Sequence, residues 1–292
     1  MRTLEEIARE RIIQCRREIL FALKTVRDNN PFAAETDSRR RQRRIQTKLN
    51  ISSKDAAVID AELSRRSSRI RNDIDEEDKS KTFPEIPEAI WGDTVDFVKV
   101  AFLERGAQVA RSVCRVAYHT GRAQGTGVLI GGGLVLTNHH VVASEKQAAE
   151  LVVEFDYERD LFGAQRQPTR FTLDPTVFVF DPVSGLDFTV CAVGKKIDGP
   201  GELDGFGYSP LSDATDKHMI GEFANIIQHP QGRFKEVVLR ENRLVSRFDN
   251  ALHYVADTER GSSGSPVYNS EWRMANDRIT PLGWALDRWG TR

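Results

Sequence analysis

The sequence predicts a mainly β protein with an α-helical N-terminal extension. From about residue 113 onward, short runs rich in β-branched residues recur at regular intervals, separated by Gly, Asp, Asn and Pro. No long helical pattern lies between these runs, so parallel βαβ crossovers are not expected, and an antiparallel sandwich or barrel is. Before residue 80 the apolar residues recur instead at steps of three and four, which is typical of amphipathic helices.

Two apolar stripes predict the helices of residues 1–80. The second stripe follows Ser52 and Asp55, which form a plausible N-cap pair. We interpret the segment between the stripes, which contains SRRRQRRIQTK, as a polar connector. A helical hairpin, or two helices that need a partner surface, would satisfy both stripes, so we expect an interaction module for another protein. The stripes consist of Leu4, Ala8, Ile12, Cys15, Ile19 and Leu23, and of Ala56, Ile59, Leu63 and Ile70.

The connector carries a dense arginine run, consisting of Arg39, Arg40, Arg41, Arg43 and Arg44. Such a run could bind phosphates. No aromatic residues are interleaved with it, acidic residues flank it, and the formal net charge of the chain is −1. A solvated charge run is therefore the preferred interpretation, and nucleic acid is not an expected partner.

A linker is expected between the helical region and the β-rich region. An acidic stretch at 73–78 is followed by Pro84 and Pro87, and this composition is typical of a boundary. The segment VDFVKVAFLERGAQVA then predicts one more helix. The chain divides into a helical region at 1–80, a linker and helix at 81–110, and a β domain at 111–292.

Composition excludes several classes of protein. The N-terminus lacks the apolar run of a signal peptide, and no stretch approaches the roughly 18 apolar residues of a membrane span. Cys15, Cys114 and Cys191 are too few and too scattered for a disulfide scaffold, and no Cys-x-x-Cys spacing suggests a metal site. We expect reduced, mostly buried thiols, a cytoplasmic location, no membrane contact, no metal and no other cofactor.

A serine-rich stretch, ERGSSGSPVY at 259–268, suggests a nucleophile. A serine hydroxyl needs an adjacent base, usually a histidine held by a carboxylate. All six histidines precede the stretch, which excludes the α/β-hydrolase order, and Gly-x-Ser-x-Gly spacing is absent. The remaining arrangement is His, Asp, Ser. The candidate bases are His139 and His140, at the end of a strand-like run, and Asp187 opens an apolar strand with Asp181 nearby.

These motifs, in this order, resemble those of the trypsin-like (chymotrypsin-fold) serine peptidases, particularly the cysteine-poor bacterial branch of HtrA-type and glutamyl-endopeptidase-type enzymes. The Thr-x-x-His motif falls on 137–140, the aspartate motif on Asp187, and the Gly-x-Ser-Gly-Gly/Ser-Pro motif on 261–266. IIQHPQG at 226–232 resembles the turn after a strand of the second barrel. The resemblance covers roughly residues 110–270.

The resemblance implies both a fold and a chemistry. The fold is a double six-stranded antiparallel β-barrel, with barrel one at about 111–198 and barrel two at about 199–292. Ser263 would be the nucleophile, His140 the general base and Asp187 the residue that orients the histidine. The N–H groups of Gly261 and Ser263 would form the oxyanion hole. The expected function is a serine endopeptidase that cleaves proteins or peptides through an acyl-enzyme.

Residues within and just before the serine motif lead to predictions about activation and specificity. Ser262 stands where the digestive branch has an aspartate that pairs with a new N-terminus, so we expect activation without such trimming. Asp257 falls where trypsin-type enzymes carry their pocket aspartate, and Thr258 where glutamyl endopeptidases carry a pocket threonine. We favour cleavage after a basic residue, which makes the arginine run at 39–44 a candidate self-cleavage site.

The C-terminal residues are the basis of an alternative hypothesis about function. EWRMANDRITP is polar for a barrel segment, and PLGWALDRWG at 281–290 is the candidate strand of the pocket wall. We expect a second barrel that is incomplete at its C-terminal end, which would leave a sheet edge open. The alternative hypothesis is a catalytically impaired scaffold or binding module that contacts partners through its N-terminal helices.

Overall fold

The structure is a computed structural model, and it confirms a mainly β fold with helices at the N-terminus. The rest of the chain, including the predicted linker prolines, lies outside the described residues. The structure describes residues 13–27, 31–49, 51–77, 98–212, 214, 217–239, 242–248, 251–255, 259–275 and 284–285.

The N-terminal region contains one more helix than the sequence predicts, because the polar connector is itself helical. Ser52 caps the following helix as predicted: Asp55 N donates to Ser52 Oγ at 3.2 Å, and the hydroxyl donates to the Asp55 carboxylate at 2.7 Å. None of the described helices is long and apolar enough to span a bilayer. The helices are α1 (Arg16–Arg27), α2 (Ser38–Leu49), α3 (Ser53–Glu77) and α4 (Ala101–Arg111), with a 3₁₀ turn at Pro31–Ala34.

Six antiparallel strands close into the first barrel, in the order β1-β2-β3-β6-β5-β4. The glycines at 131–133 form the predicted hairpin turn, and all three have positive φ, where a side chain would be strained. Apolar side chains from these strands fill the barrel interior. The elements are β1 (Val113–Tyr118), β2 (Ala123–Gly131), β3 (Leu134–Thr137), a one-turn helix α5 (Glu145–Ala148), β4 (Leu151–Phe155), β5 (Thr169–Asp181) and β6 (Phe188–Asp198).

The second half is arranged as two three-stranded sheets, with orders β11-β7-β8 and β12-β10-β9. One pair departs from the expected antiparallel pattern: β10 and β12 run parallel, with His253 opposite Trp284. This pair is what the described residues show of the candidate pocket-wall segment. The strands are β7 (Asn225–Gln228), β8 (Glu236–Val238), β9 (Leu244–Phe248), β10 (Ala251–Tyr254), β11 (Val267–Tyr268) and β12 (Trp284–Ala285).

The N-terminal helices pack against the second half of the same chain. The first predicted stripe is confirmed where it is described, because Cys15, Ile19 and Leu23 are all buried. They share one apolar cluster with residues of the second half, among them Ile226 and Val267 of β7 and β11. The surface that this stripe was expected to need is therefore provided by the chain itself, whereas a separate protein partner stays a prediction.

The interpretation of the arginine run as a solvated charge run is wrong for two of its members. Arg41 and Arg44 are each 3% exposed. Arg44 forms ion pairs with Glu222 and with Glu271, and Arg41 pairs with Asp60 of α3. These carboxylates are distant in sequence, so local composition did not reveal them. An exposed self-cleavage site is likewise contradicted at Arg41 and Arg44, because both lie buried within a helix.

A second buried ion pair joins the helical region to the β-rich region. Glu35 is 1% exposed, and its carboxylate accepts from Arg247 of β9 at 2.8 Å and from Ile220 N at 3.3 Å. The same carboxylate accepts from Asp37 N at 3.0 Å, one residue before α2 begins. Glu35 thus ties the start of α2 to the second half.

The cysteine prediction is confirmed. Cys15, Cys114 and Cys191 are all buried and none is in a disulfide. Burial raises the pKa of the Cys114 thiol to about 12 and that of Cys191 to about 11. Both groups therefore stay as thiols at neutral pH and behave as small apolar side chains.

Candidate active site

The first barrel brings His140 and Asp187 together at one end of two paired strands. β3 ends at Thr137, β6 begins at Phe188, and Thr137 lies opposite Thr189 in the ladder. The residues after β3 and before β6 therefore meet at the same edge. His140 Nδ1 lies 2.8 Å from Asp187 Oδ2, and His140 N donates to Asp187 Oδ1 at 3.1 Å.

The rival residues named from the sequence lie in other interactions. The His139 ring stacks on Phe180 with centroids 4.7 Å apart, and its Nδ1 lies 3.3 Å from Thr189 Oγ1. The Asp181 carboxylate accepts a hydrogen bond from Leu186 N and closes the turn before β6. Of the two histidines and two aspartates, His140 and Asp187 are the pair that the structure brings together.

Asp187 is held by more than the histidine. It is 6% exposed and its φ is +52°, a left-handed conformation that non-glycine residues adopt rarely. Asn138 Nδ2 donates to both Asp187 O and Asp187 Oδ2 at 2.9 Å, and His139 N donates to Asp187 O at 3.2 Å. Sequence reasoning missed Asn138, although it lies inside the Thr-x-x-His motif.

The serine-rich stretch forms a tight turn against β2. Gly261 and Gly264 both have a φ of +92°. A Cβ atom at Gly264 would lie 1.8 Å from Thr126 O, and one at Gly261 would lie 2.9 Å from His229 O. Only glycine fits both the conformation and the space at these positions. The loop is thereby pressed onto the first barrel and onto the turn after β7.

Ser263 is half-buried at the centre of this turn. Its carbonyl accepts from Thr126 N at 2.7 Å, and the next amide, Gly264 N, donates to Asn138 Oδ1 at 2.7 Å. Within the described part of the chain, no hydrogen bond joins Ser263 Oγ to His140. In the absence of substrate such contacts are commonly longer than in the reacting complex.

The two N–H groups predicted for the oxyanion hole are available. Among the described residues, Gly261 N and Ser263 N donate no hydrogen bond to protein. Ser262 is 8% exposed, and its N–H and hydroxyl bond the backbone of Glu259 at 3.0 and 3.3 Å. Ser262 therefore stabilises the turn through local hydrogen bonds, in place of the ion pair of the digestive branch.

The predicted pocket residues Asp257 and Thr258 lie outside the described residues, so the preference for a basic residue stays a prediction. A cavity of about 500 Å³ lies nearby, and its lining consists of Gln228, Pro230, Arg233, Glu236, Val237, Val238, Leu239 and Glu259. Arg233 forms two ion pairs at this cavity. Its Nε lies 3.1 Å from Glu236 Oε1, and its Nη1 lies 2.7 Å from Oε2 of Glu259, the first residue of the serine-rich stretch. In the described ranges no three His, Cys, Asp or Glu side chains cluster in a way that could hold a metal ion.

Comparisons with known proteins identify the class to which this fold and site belong. Residues 125–275, just over half of the chain, match the model of the trypsin-like peptidase domain. That range contains the histidine, aspartate and serine motifs. The chain belongs to the trypsin-like peptidase family.

Individual relatives are more distant or only partly aligned. An uncharacterized protein of Sinorhizobium fredii, y4fB, is 40% identical over 193 residues, covering 62% of this chain and 29% of the relative. The chain thus spans less than a third of that relative's length. The active form of the Rv3671c protease from M. tuberculosis is 19% identical, with 67% of this chain and 81% of that chain covered and a TM-score of 0.39. A serine endoprotease from Yersinia pestis is 17% identical, with coverages of 61% and 57% and a TM-score of 0.40.

Proposed function

We propose that this chain is a serine endopeptidase that cleaves protein substrates through Ser263, His140 and Asp187. The observation that carries the proposal is the contact between His140 Nδ1 and Asp187 Oδ2 at 2.8 Å. It lies at the edge of the first barrel where Asn138 also binds the Ser263 turn. A histidine held by a carboxylate beside a glycine-framed serine is the arrangement that activates a hydroxyl.

The reaction begins with the attack of Ser263 Oγ on the peptide carbonyl carbon. A C–O bond forms, the carbonyl π electrons move to oxygen, and the hydroxyl proton passes to His140 Nε2. The N–H groups of Gly261 and Ser263 stabilise the oxyanion, and one such donor contributes about 3–4 kcal/mol in comparable enzymes. The C–N bond then breaks, the leaving amine takes the proton from His140, and an acyl-enzyme remains.

Water completes the cycle by the same route. It attacks the acyl carbon while its proton passes to His140 Nε2, and the tetrahedral intermediate collapses to release the acid and restore Ser263. Asp187 keeps the Nδ1 proton of His140 pointed at its own carboxylate, which leaves the Nε2 lone pair free to act as base. Asp187 Oδ1, bonded to His140 N, prevents the carboxylate from turning away.

The same proposal covers the substrate and the location of the chain. The substrates are proteins or peptides, cleavage follows a basic residue, and the chain works in the cytoplasm. The buried free thiols of Cys114 and Cys191 support the last point, because disulfides are rare in reducing compartments.

Labelling with a fluorophosphonate probe tests the function without knowledge of the substrate. The wild-type chain is expected to form a covalent adduct that peptide mass spectrometry places on Ser263, and Ser263→Ala is expected to form none. Ser265→Ala is the matched control, because Ser265 is 5% exposed and its hydroxyl has no partner among the described residues. An unlabelled, folded wild-type chain would refute the proposed function.

A further inference from the structure

Asn138 contacts both sides of the candidate site with every polar atom of its side chain. The residue is 3% exposed. Its Nδ2 donates to Asp187 O and to Asp187 Oδ2, both at 2.9 Å, and its Oδ1 accepts from Gly264 N at 2.7 Å. The orientation of the amide is determined by these partners, because two acceptors face the NH₂ group and one donor faces the oxygen.

On one side, the asparagine holds a carboxylate whose backbone is in an uncommon conformation. Asp187 has a φ of +52°, which costs about 1–3 kcal/mol unless the surroundings compensate. The bond from Asn138 to Asp187 O stabilises this backbone, and the bond to Oδ2 fixes the carboxylate rotation. Asn138 is a neutral donor, so it brings no countercharge to the oxygen that also contacts His140 Nδ1.

On the other side, the asparagine fixes the peptide group that follows the proposed nucleophile. That group consists of Ser263 C=O and Gly264 N–H. Its oxygen accepts from Thr126 N at 2.7 Å, and its N–H donates to Asn138 Oδ1. A peptide plane hydrogen-bonded at both ends is restrained from rotating, so β2 and Asn138 together hold the backbone of Ser263.

We propose that Asn138 is a positioning residue that holds the His140–Asp187 pair in register with Ser263. The two halves of the site come from segments 76 residues apart, Asp187 in the first barrel and Ser263 in the second half. A single amide spans the gap between them. This inference rests on the proposed serine peptidase function. Asn138 acts through Asp187 and the Ser263 turn, not by touching substrate.

The test is the second-order rate of fluorophosphonate labelling of the full chain. Asn138→Ala removes two hydrogen bonds to Asp187, one of them charged, and we expect labelling to slow by roughly 10- to 100-fold. Asn242→Ala is the matched control. Asn242 is fully buried and donates to Ala224 O and Val238 O at 2.8 and 3.1 Å, so its loss destabilises the fold without touching the site, and labelling stays within about twofold.

A double-mutant cycle separates positioning from a general structural effect. Asp187→Asn alone is expected to slow labelling by about 10⁴-fold, as an Asp-to-Asn change does in comparable triads. In the Asp187→Asn background, Asn138→Ala should slow labelling further by no more than roughly a third of its single-mutant factor, because the part exerted through Asp187 is already lost and only the part exerted through the Ser263 turn remains. Recurrence of the full single-mutant factor in that background overturns the inference, as does wild-type labelling by Asn138→Ala itself.

A conservative variant keeps the test decisive if Asn138→Ala does not fold. Asn138→Asp has the same shape and still accepts from Gly264 N, but it loses both donors and places a second carboxyl group beside Asp187. We expect at least tenfold slower labelling, and wild-type labelling would overturn the inference. If the wild-type chain itself is not labelled, the proposed function fails first, and that outcome is distinguishable from a fault in the role of Asn138.

Discussion

Replacing Arg44 by methionine should destabilise the chain strongly, because it breaks a buried ion pair with Glu222. Arg44 Nε donates to both oxygens of Glu222 at 2.9 and 3.0 Å, and Nη2 donates to Glu271 at 2.6 Å. Glu222 is 4% exposed, whereas the Glu271 side chain is 32% exposed and can reach water. Breaking a buried pair by removing one partner costs about 3–5 kcal/mol, and we expect Arg44→Met to lie in that range.

Urea denaturation followed by tryptophan fluorescence measures this loss as a lowered midpoint with an unchanged slope. Arg43→Met is the matched control, since Arg43 is the exposed neighbour on the same helix, and it should change the free energy of unfolding by less than about 0.5 kcal/mol. The double variant Arg44→Met/Glu222→Gln also removes the buried carboxylate charge, while the amide oxygen that it introduces can still accept from Met219 N. It should regain more than half of the lost stability.

Two results would refute this reasoning. If Arg44→Met unfolds at the same urea concentration as Arg43→Met, the helix does not hold its arginine against the second half in solution. If the double variant is no more stable than Arg44→Met, the loss comes from missing packing rather than from the buried charge of Glu222.

Two further predictions concern the serine turn and its surroundings. Gly264→Ala should abolish fluorophosphonate labelling and lower the melting temperature, because its Cβ would lie 1.8 Å from Thr126 O at a φ of +92°. The control Gly132→Ala is also at positive φ but has no atom within 4 Å of the added Cβ, so it should lower the free energy of unfolding by only about 1 kcal/mol. Equal melting temperatures of the two variants would contradict the steric argument. Burial lowers the pKa of His229 from 6.5 to about 3 in the folded state. Below pH 6.5 the unfolded chain therefore binds a proton that the folded chain does not, so the free energy of unfolding falls as the pH falls from 6.5 towards 3, by about 2 kcal/mol at pH 5. His229→Gln should flatten the acid side of the stability–pH curve, measured by urea midpoints between pH 8 and 4.5, and an unchanged curve would show that His229 is not buried as a neutral group.

The strands of the first barrel could be predicted because their cause is local. The runs at 151–155 and 188–193 are long enough, and rich enough in β-branched residues, to favour a strand before any partner is considered. No such run marks β1 of the first barrel, or β9 and β11 of the second half. β11 is only two residues long, and its pairing with β7 depends on residues more than 40 positions away, so no local pattern marks it.

The same limit explains which site residues sequence reasoning could find. Ser263, His140 and Asp187 belong to motifs that a resemblance can align one residue at a time. The role of Asn138 depends on Asp187, 49 residues away, and on Gly264, 126 residues away. A polar side chain shows its partners only in the fold, and an asparagine between a strand and a histidine is also an ordinary turn residue.

The buried ion pairs explain how the N-terminal helices are matched to the second half. Apolar burial of Cys15, Ile19 and Leu23 supplies the larger favourable term, but an apolar face alone would also accept a helix shifted by one turn. A shift of the docked helices by about 5.4 Å would separate Arg44 from Glu222 and would break this buried ion pair. Such a state is unfavourable by several kcal/mol, so the ion pair contributes little net attraction and instead excludes the wrong register. The ion pair between Glu35 and Arg247 fixes the start of α2 in the same way. Together the two ion pairs favour one position of the N-terminal helices on the second half.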